Sequence, residues 1–146
     1  MYNSDLENQL IAPDIADVMQ DYTSIQLDID NTKIKAASLV AQRIDIGRII
    51  TKDNLDRCVS PETEADEELK ELVIPPLCYF TYARCLRMFQ GTFTDSGYTT
   101  QTEADDRNSA KSVANEMRGI AETFMLEVTE FLEKEDPNTK SDKGKL

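Results

Sequence analysis

The fold is decided by residues 102–132, which read TEADDRNSAKSVANEMRGIAETFMLEVTEFL. Apolar side chains recur here every three or four residues, the spacing that places them on one face of an α-helix. These side chains are Ala110, Val113, Ala114, Met117, Ile120, Ala121, Phe124, Met125, Val128, Phe131 and Leu132. Thr102 and Asp105 form an N-terminal capping signal. The pattern predicts a helix of about thirty residues, which needs apolar partners along its length.

A second long helix is predicted upstream, from the acidic stretch 61–71 to Gln90. Acidic residues suit the first turn of a helix, and the large apolar groups after Leu77 are typical of a helix buried on more than one face. Pro75 and Pro76 remove two backbone donors, so we expect a kink or a new helix start there. The two long helices should pack as an antiparallel pair.

Residues 91–101 lie between these helices and are rich in β-branched and aromatic side chains. They predict a short β-hairpin with Gly97 at a positive φ angle. Its aromatic side chains either fold back on the domain or protrude and dock into another chain. In the second case the partner contacts are Phe93, Thr94, Asp95, Ser96, Gly97 and Tyr98.

Two shorter helices are predicted nearer the N-terminus. Asp30-Asn31-Thr32 supplies capping residues for a helix that runs to about Ile50. Its apolar face is predicted to hold Ile34, Ala37, Val40, Ala41 and Ile44. A helix over 51–59 follows, capped by Thr51 or Asp53 and ended by Ser60-Pro61.

The first 30 residues hold seven acidic side chains and no Lys or Arg. A short helix is expected over 12–19, and the alternation from Ile25 to Ile29 indicates an extended segment. We therefore predict an acidic N-terminal arm over 1–30, a helical domain over 31–132 and a polar C-terminal tail over 133–146. The expected class is mainly α, an antiparallel helical bundle with a short β-hairpin and extended termini.

Composition excludes several classes of function. The 146 residues carry 28 acidic and 16 basic side chains, a net charge of -12, and no histidine. The negative net charge disfavours nucleic-acid binding, and the absence of histidine removes the commonest general base and metal ligand. No apolar run is long enough to span a membrane, and we expect no secretory signal in the first residues. Cys58, Cys78 and Cys85 are expected to be small core side chains.

Two groups of acidic residues have some features of metal sites. Asp28, Asp30 and Thr32 have the spacing of an EF-hand loop, but Lys33 replaces its glycine and Leu39 its bidentate glutamate. The carboxylates at 62–71 lack the histidines of a di-metal bundle site, so they are expected to be a solvated face. We predict no catalytic residue, no metal and no cofactor.

Charge is distributed unevenly along the chain. Residues 31–60 carry six basic and three acidic side chains, and acidic stretches lie on both sides of them. Such segments can form a contact in which one patch meets a different patch on the next copy. The predicted subunit contacts are Lys35, Arg43, Arg48, Asp66, Glu67 and Glu71.

The order of elements resembles a known family. The residues that carry the resemblance are Ala41, Gln42, Ile44, Leu72, Pro75, Pro76, Leu77, Tyr79, Tyr82, Ala83, Gly97, Arg118, Ala121, Glu122 and Phe124. Over roughly residues 30–132 the chain is similar to the head-to-tail connector (adaptor) proteins of tailed bacteriophages, most of all the version carried by phages of Bacteroidales hosts.

This resemblance implies a structural virion protein with no enzymatic activity. Its subunits would form a ring, usually twelve-fold, that docks on the portal protein and extends the DNA channel toward the tail. The hairpin and the chain ends would reach neighbouring subunits or further connector and tail proteins. The location would be the neck of the virion, after assembly in the host cytoplasm, and DNA would pass without specific binding.

Two other functions compete with this one. An acidic interaction module, such as a DNA mimic that inhibits a nucleic-acid-binding enzyme, would display its acids along one face. A more distant alternative is an enzyme that uses carboxylates alone, which needs a pocket holding a carboxylate of raised pKa.

Overall fold

The computed structural model describes residues 2–23, 29–88 and 100–135. These residues form α-helices and one π-helical turn, and no strand occurs among them, so the mainly α class is confirmed. The α-helices are α1 (Tyr2–Gln9), α2 (Ile15–Thr23), α3 (Asn31–Val40), α4 (Lys52–Val59), α5 (Glu64–Met88) and α6 (Thr100–Glu135). The π-helical turn (Ala41–Ile46) continues α3 directly.

Helix α5 is the centre of the fold. It contacts α2, α3, the π-helical turn, α4 and α6. Its second half is buried on several faces, as expected. The buried residues there are Leu77, Cys78, Phe80, Thr81, Tyr82, Ala83 and Cys85. Pro75 and Pro76 lie inside this one helix, so the alternative of a new helix start at these residues is wrong.

Helices α5 and α6 pack antiparallel along their length. Near the start of α5, Arg57 joins Asp66 to Glu135 at the end of α6. Farther along, the Tyr79 ring stacks on Phe124, with 5.8 Å between the ring centroids. Later residues of α5 thus contact earlier residues of α6, as in an antiparallel pair. Ala114, Ala121, Met125 and Val128 line the buried stripe of α6, on the predicted face.

Two of the predicted caps are confirmed. The Asp30 carboxylate accepts a hydrogen bond from the Thr32 N–H at the start of α3. The Thr51 hydroxyl accepts from the Asn54 N–H at the start of α4, and Ser60 ends that helix. Caps of this kind satisfy backbone donors that have no partner within the helix.

The π-helical turn overturns one core assignment. Ile44, predicted on the apolar face, is 48% exposed, whereas Asp45 and Ile46 are buried. A π turn holds one residue more than an α turn, so the inward face moves along the chain by about one position. Helical structure also ends at Ile46, short of the expected Ile50, and residues 47–49 form a turn.

The hydrophobic core also draws on the first 30 residues. Leu10, Ile11, Ile15 and Met19 are each at most 2% exposed. The helix expected over 12–19 lies instead at Ile15–Thr23, and α1 was not predicted at all. The division of the chain at residue 30 stays a prediction, but the core includes side chains from both sides of it.

All three cysteines are free and buried, as predicted. Desolvation raises the pKa of each thiol to about 12. Most of the predicted hairpin, residues 91–99, lies outside the described residues, while Thr100 and Gln101 belong to α6. Most of the segment predicted to be extended, residues 25–28, and the tail from residue 136 onward also lie outside them.

Candidate functional site

A buried carboxylate joins the π-helical turn to both long helices. The Asp45 side chain has 0% exposure, and Arg84 of α5 binds it with two hydrogen bonds of 2.9 Å. Arg118 of α6 adds a bond of 3.2 Å from Nη1 to Oδ1. The hydrogen bonds that Arg84 donates to Asp45 raise the pKa of Arg84, so this guanidinium stays charged. Two cations thus neutralise one buried anion, which leaves the cluster positive.

A shallow cavity opens beside this cluster. It has a volume of about 250 Å³ and is lined by Asp45, Arg48, Ile49, Phe80, Arg118 and Glu122. The Arg118 guanidinium carbon lies 5.9 Å from the centroid of the Phe80 ring, a cation–π distance. Arg118 is therefore held on two sides, by the carboxylate and by the ring, while 21% of its side chain remains accessible.

Arg48 stands at the rim of this cavity and is exposed. Its Nε atom donates a long hydrogen bond of 3.4 Å to the Ile44 carbonyl. Among the described residues, no carboxylate forms an ion pair with it. Ile44 and Ile49, exposed by 48% and 37%, flank it. We define the Arg48 surface as Ile44, Arg48, Ile49 and the accessible part of Arg118.

A second charged cluster lies at the other end of α5. Arg57 binds the Asp66 carboxylate at 2.6 Å and both Glu135 oxygens at 2.8 Å. Asp66 also accepts from the Glu62 and Thr63 N–H groups. Chiefly because of the bond from Arg57, the pKa of Asp66 falls to about 2. This cluster fastens α4 and the end of α6 to the start of α5.

The predicted contact residues fall into two groups. Lys35, Arg43 and Asp66 are used within the chain, where they bind Glu7, Gln9 and Arg57 respectively. Arg48, Glu67 and Glu71 are exposed, and none of the three forms an ion pair with another described residue. The fold does not bring Arg48 together with the two glutamates. The contacts between subunits stay a prediction.

The N-terminal segment is held by a buried amide. Gln42 accepts a hydrogen bond of 2.9 Å from the Ile11 N–H and donates one of 2.8 Å to the Gln9 carbonyl. A groove of about 590 Å³ lies next to it, between the end of α1 and α4. Gln42 and Asp45, the two buried polar anchors of the π-helical turn, were not identified from the sequence.

An apolar patch lies on the outer face of α6. Leu126 is 64% exposed, the largest value among the exposed apolar residues described. It lines a groove of about 560 Å³ together with Ile120, Thr123, Phe124, Glu127 and Glu130. These residues come from one helix, so the groove is open to solvent along α6.

Within residues 2–23, 29–88 and 100–135, no group of three carboxylates or thiols is arranged to hold a metal ion. No helix in the same ranges is long and apolar enough to cross a bilayer.

Comparisons with known proteins point to a family and give it no activity. No curated protein matches the chain, and no solved structure matches it. A family model described as "Family of unknown function (DUF6712)" matches residues 38–145. The matched range includes the π-helical turn, Arg48 and all of α5 and α6. The chain therefore belongs to the DUF6712 family, whose function is unknown.

Proposed function

We propose that this protein is a structural subunit of a ring, a head-to-tail connector of a tailed bacteriophage. In this role it has no catalytic activity. The ring docks on the portal protein at the neck of the virion and extends the DNA channel toward the tail. The proposal combines the resemblance over roughly residues 30–132 with the charge distribution on the folded chain.

One observation carries the proposal. The Arg48 surface is basic and apolar, and the exposed glutamates Glu67 and Glu71 lie near the opposite end of α5. Arg48, Glu67 and Glu71 form no ion pair with another described residue. A subunit with two different, complementary patches favours contacts in which one patch meets the other patch of the next copy. Such contacts close into a ring when the rotation between neighbouring copies divides a full turn evenly.

The net charge fits the passage of DNA. The exposed carboxylates Asp14, Asp17, Asp21 and Asp30 in the N-terminal segment, and others at the start of α5, favour a surface that repels phosphate. Basic side chains that bind within or between subunits are removed from contact with DNA. A channel of this kind lets DNA slide, whereas a basic wall would hold it.

The finer parts of the proposal concern segments outside the described residues. Residues Phe93–Tyr98 of the predicted hairpin, in the segment between α5 and α6, reach a partner. The tail after Glu135 reaches a neighbouring ring. The ring is twelve-fold, as the resemblance implies.

Electron microscopy of the full chain mixed with the portal protein of the same phage tests this function. We expect rings coaxial with the portal. Mixtures that contain neither rings nor portal-bound chain refute the proposal. A monomer that instead binds and inhibits a nucleic-acid-binding enzyme would support the DNA-mimic alternative.

A second test concerns the hairpin. Replacing Phe93 and Tyr98 together by Ser should impair ring assembly and leave the melting temperature of the monomer nearly unchanged. A large loss of monomer stability would show that these side chains belong to the core, contrary to the proposal.

A further inference from the structure

The Arg48 surface has the composition of the centre of a protein interface. It combines accessible arginine with exposed isoleucine, and both Arg and apolar side chains concentrate in such centres. The surface is also pre-organised, because Asp45 and Phe80 hold Arg118 in place. Little side-chain freedom remains for this arginine to lose on binding.

A complementary surface exists on the same chain. Glu67 and Glu71 are exposed and four residues apart on α5, so their carboxylates lie on one face of the helix, one turn apart. They cannot reach the Arg48 surface of their own chain. Phe80, which lines the cavity beside Arg48, is nine residues beyond Glu71 and thirteen beyond Glu67 on α5, distances of about 14 and about 20 Å along the helix.

We propose that the Arg48 surface of one copy binds the Glu67–Glu71 face of a second copy. Arg48 pairs with these carboxylates, and Ile44 and Ile49 pack against the side of the partner helix. The contact joins two different patches, so each copy offers one of each to its neighbours. This inference rests on the proposed ring, and it names the residues that form its contact.

The test measures self-association of the full chain by sedimentation velocity, from micromolar to millimolar concentration at low salt. Arg48→Glu should weaken association about tenfold or more, because it replaces an attraction by a repulsion. Glu67→Arg combined with Glu71→Arg should weaken it to a similar degree. Joining all three changes in one chain should restore association, since opposite charges face each other again. Added salt should weaken the wild-type contact.

Matched charge reversals elsewhere act as controls. Arg87→Glu and Glu116→Arg change exposed side chains outside both patches and should leave association unchanged. Melting temperatures close to that of the wild type verify that the variants are folded.

Three results overturn the contact. They are a wild-type chain that stays monomeric at millimolar concentration, an Arg48→Glu variant that associates like the wild type, and a triple variant that remains weak. The proposed function is judged separately by microscopy with the portal. If Arg48→Glu chains still form rings on the portal, the contact is wrong and the connector function stands.

Discussion

Replacing Asp45 by Asn removes one negative charge from the buried cluster and preserves the size of the side chain. The wild-type carboxylate accepts two bonds from Arg84 and one from Arg118, and none of its surface is exposed. In the variant, the amide keeps one accepting oxygen and replaces the other by an NH2 group, which faces arginines that have only donors themselves. Two cations then remain without their shared anion.

The cost of this change can be set from the geometry. Removing one partner of a buried ion pair costs about 3–5 kcal/mol. Both arginines keep 21% of their side-chain exposure, so water can compensate part of the loss. We therefore expect the lower end, about 3 kcal/mol, which for a chain of this size lowers the melting temperature by roughly 6–12 °C.

Urea denaturation and thermal melting of the full chain measure this loss. Asp56→Asn is the matched control, because that carboxylate is exposed, and it should change stability by less than about 0.5 kcal/mol. Arg84→Met, and the double variant that combines Asp45→Asn with Arg84→Met, complete a double-mutant cycle. This cycle isolates the interaction free energy between Asp45 and Arg84. If Asp45→Asn is as stable as the control, the buried carboxylate does not fasten the π-helical turn to the long helices.

Three other expectations use different parts of the fold. Gly47→Ala should destabilise the fold by about 1–3 kcal/mol, because a Cβ there overlaps the backbone carbonyl of Arg43. Gly119 has open space around it, so Gly119→Ala should stabilise the fold by roughly 0.5–1 kcal/mol. The denaturation midpoints of the two variants measure these changes. In the folded chain the pKa of Asp66 is about 2, below its ordinary value of 3.8. The ionised carboxylate therefore stabilises the fold fully above pH 3.8, and this stabilisation is lost as the pH falls from 3.8 toward 2. Asp66→Asn should therefore show a shallower acid-induced loss of melting temperature, and a slope equal to that of the wild type would contradict this. The three thiols, with pKa values of about 12, should react with a thiol reagent at neutral pH only after unfolding; rapid labelling of the native chain would contradict their burial.

Local signals in the sequence predicted most of the helices. The periodicity of α6 and the caps Asp30 and Thr51 depend on neighbouring residues only, so they can be identified without knowledge of the tertiary structure. Amino-acid composition did not predict the burial of the N-terminal segment. Its seven acidic residues suggested a solvated arm, although Ile11, Ile15 and Met19 repeat every four residues and are buried.

The buried ion cluster was not predicted, because its members are far apart in sequence. Asp45 is 39 residues from Arg84 and 73 from Arg118. One signal was present. Arg84 lies within a segment rich in large apolar side chains, and an arginine there needs a carboxylate partner when the helix is buried. Asp45 becomes that partner only because the π-helical turn directs it inward. A pattern search that assumes 3.6 residues per turn throughout does not detect such a turn.

The extra residue of the π-helical turn connects internal stability with the proposed assembly. The shift in the helical face turns Asp45 inward, where it binds both long helices, and turns Ile44 outward, where it is 48% exposed. A regular α-helix in the predicted register would bury Ile44, leave Arg84 without this partner and remove an apolar side chain from the Arg48 surface. Asp45→Asn should therefore weaken self-association as well as folding, although Asp45 is itself inaccessible to a second copy. Association unchanged in a variant that has lost stability would show that the cluster stabilises the fold without shaping the proposed contact surface.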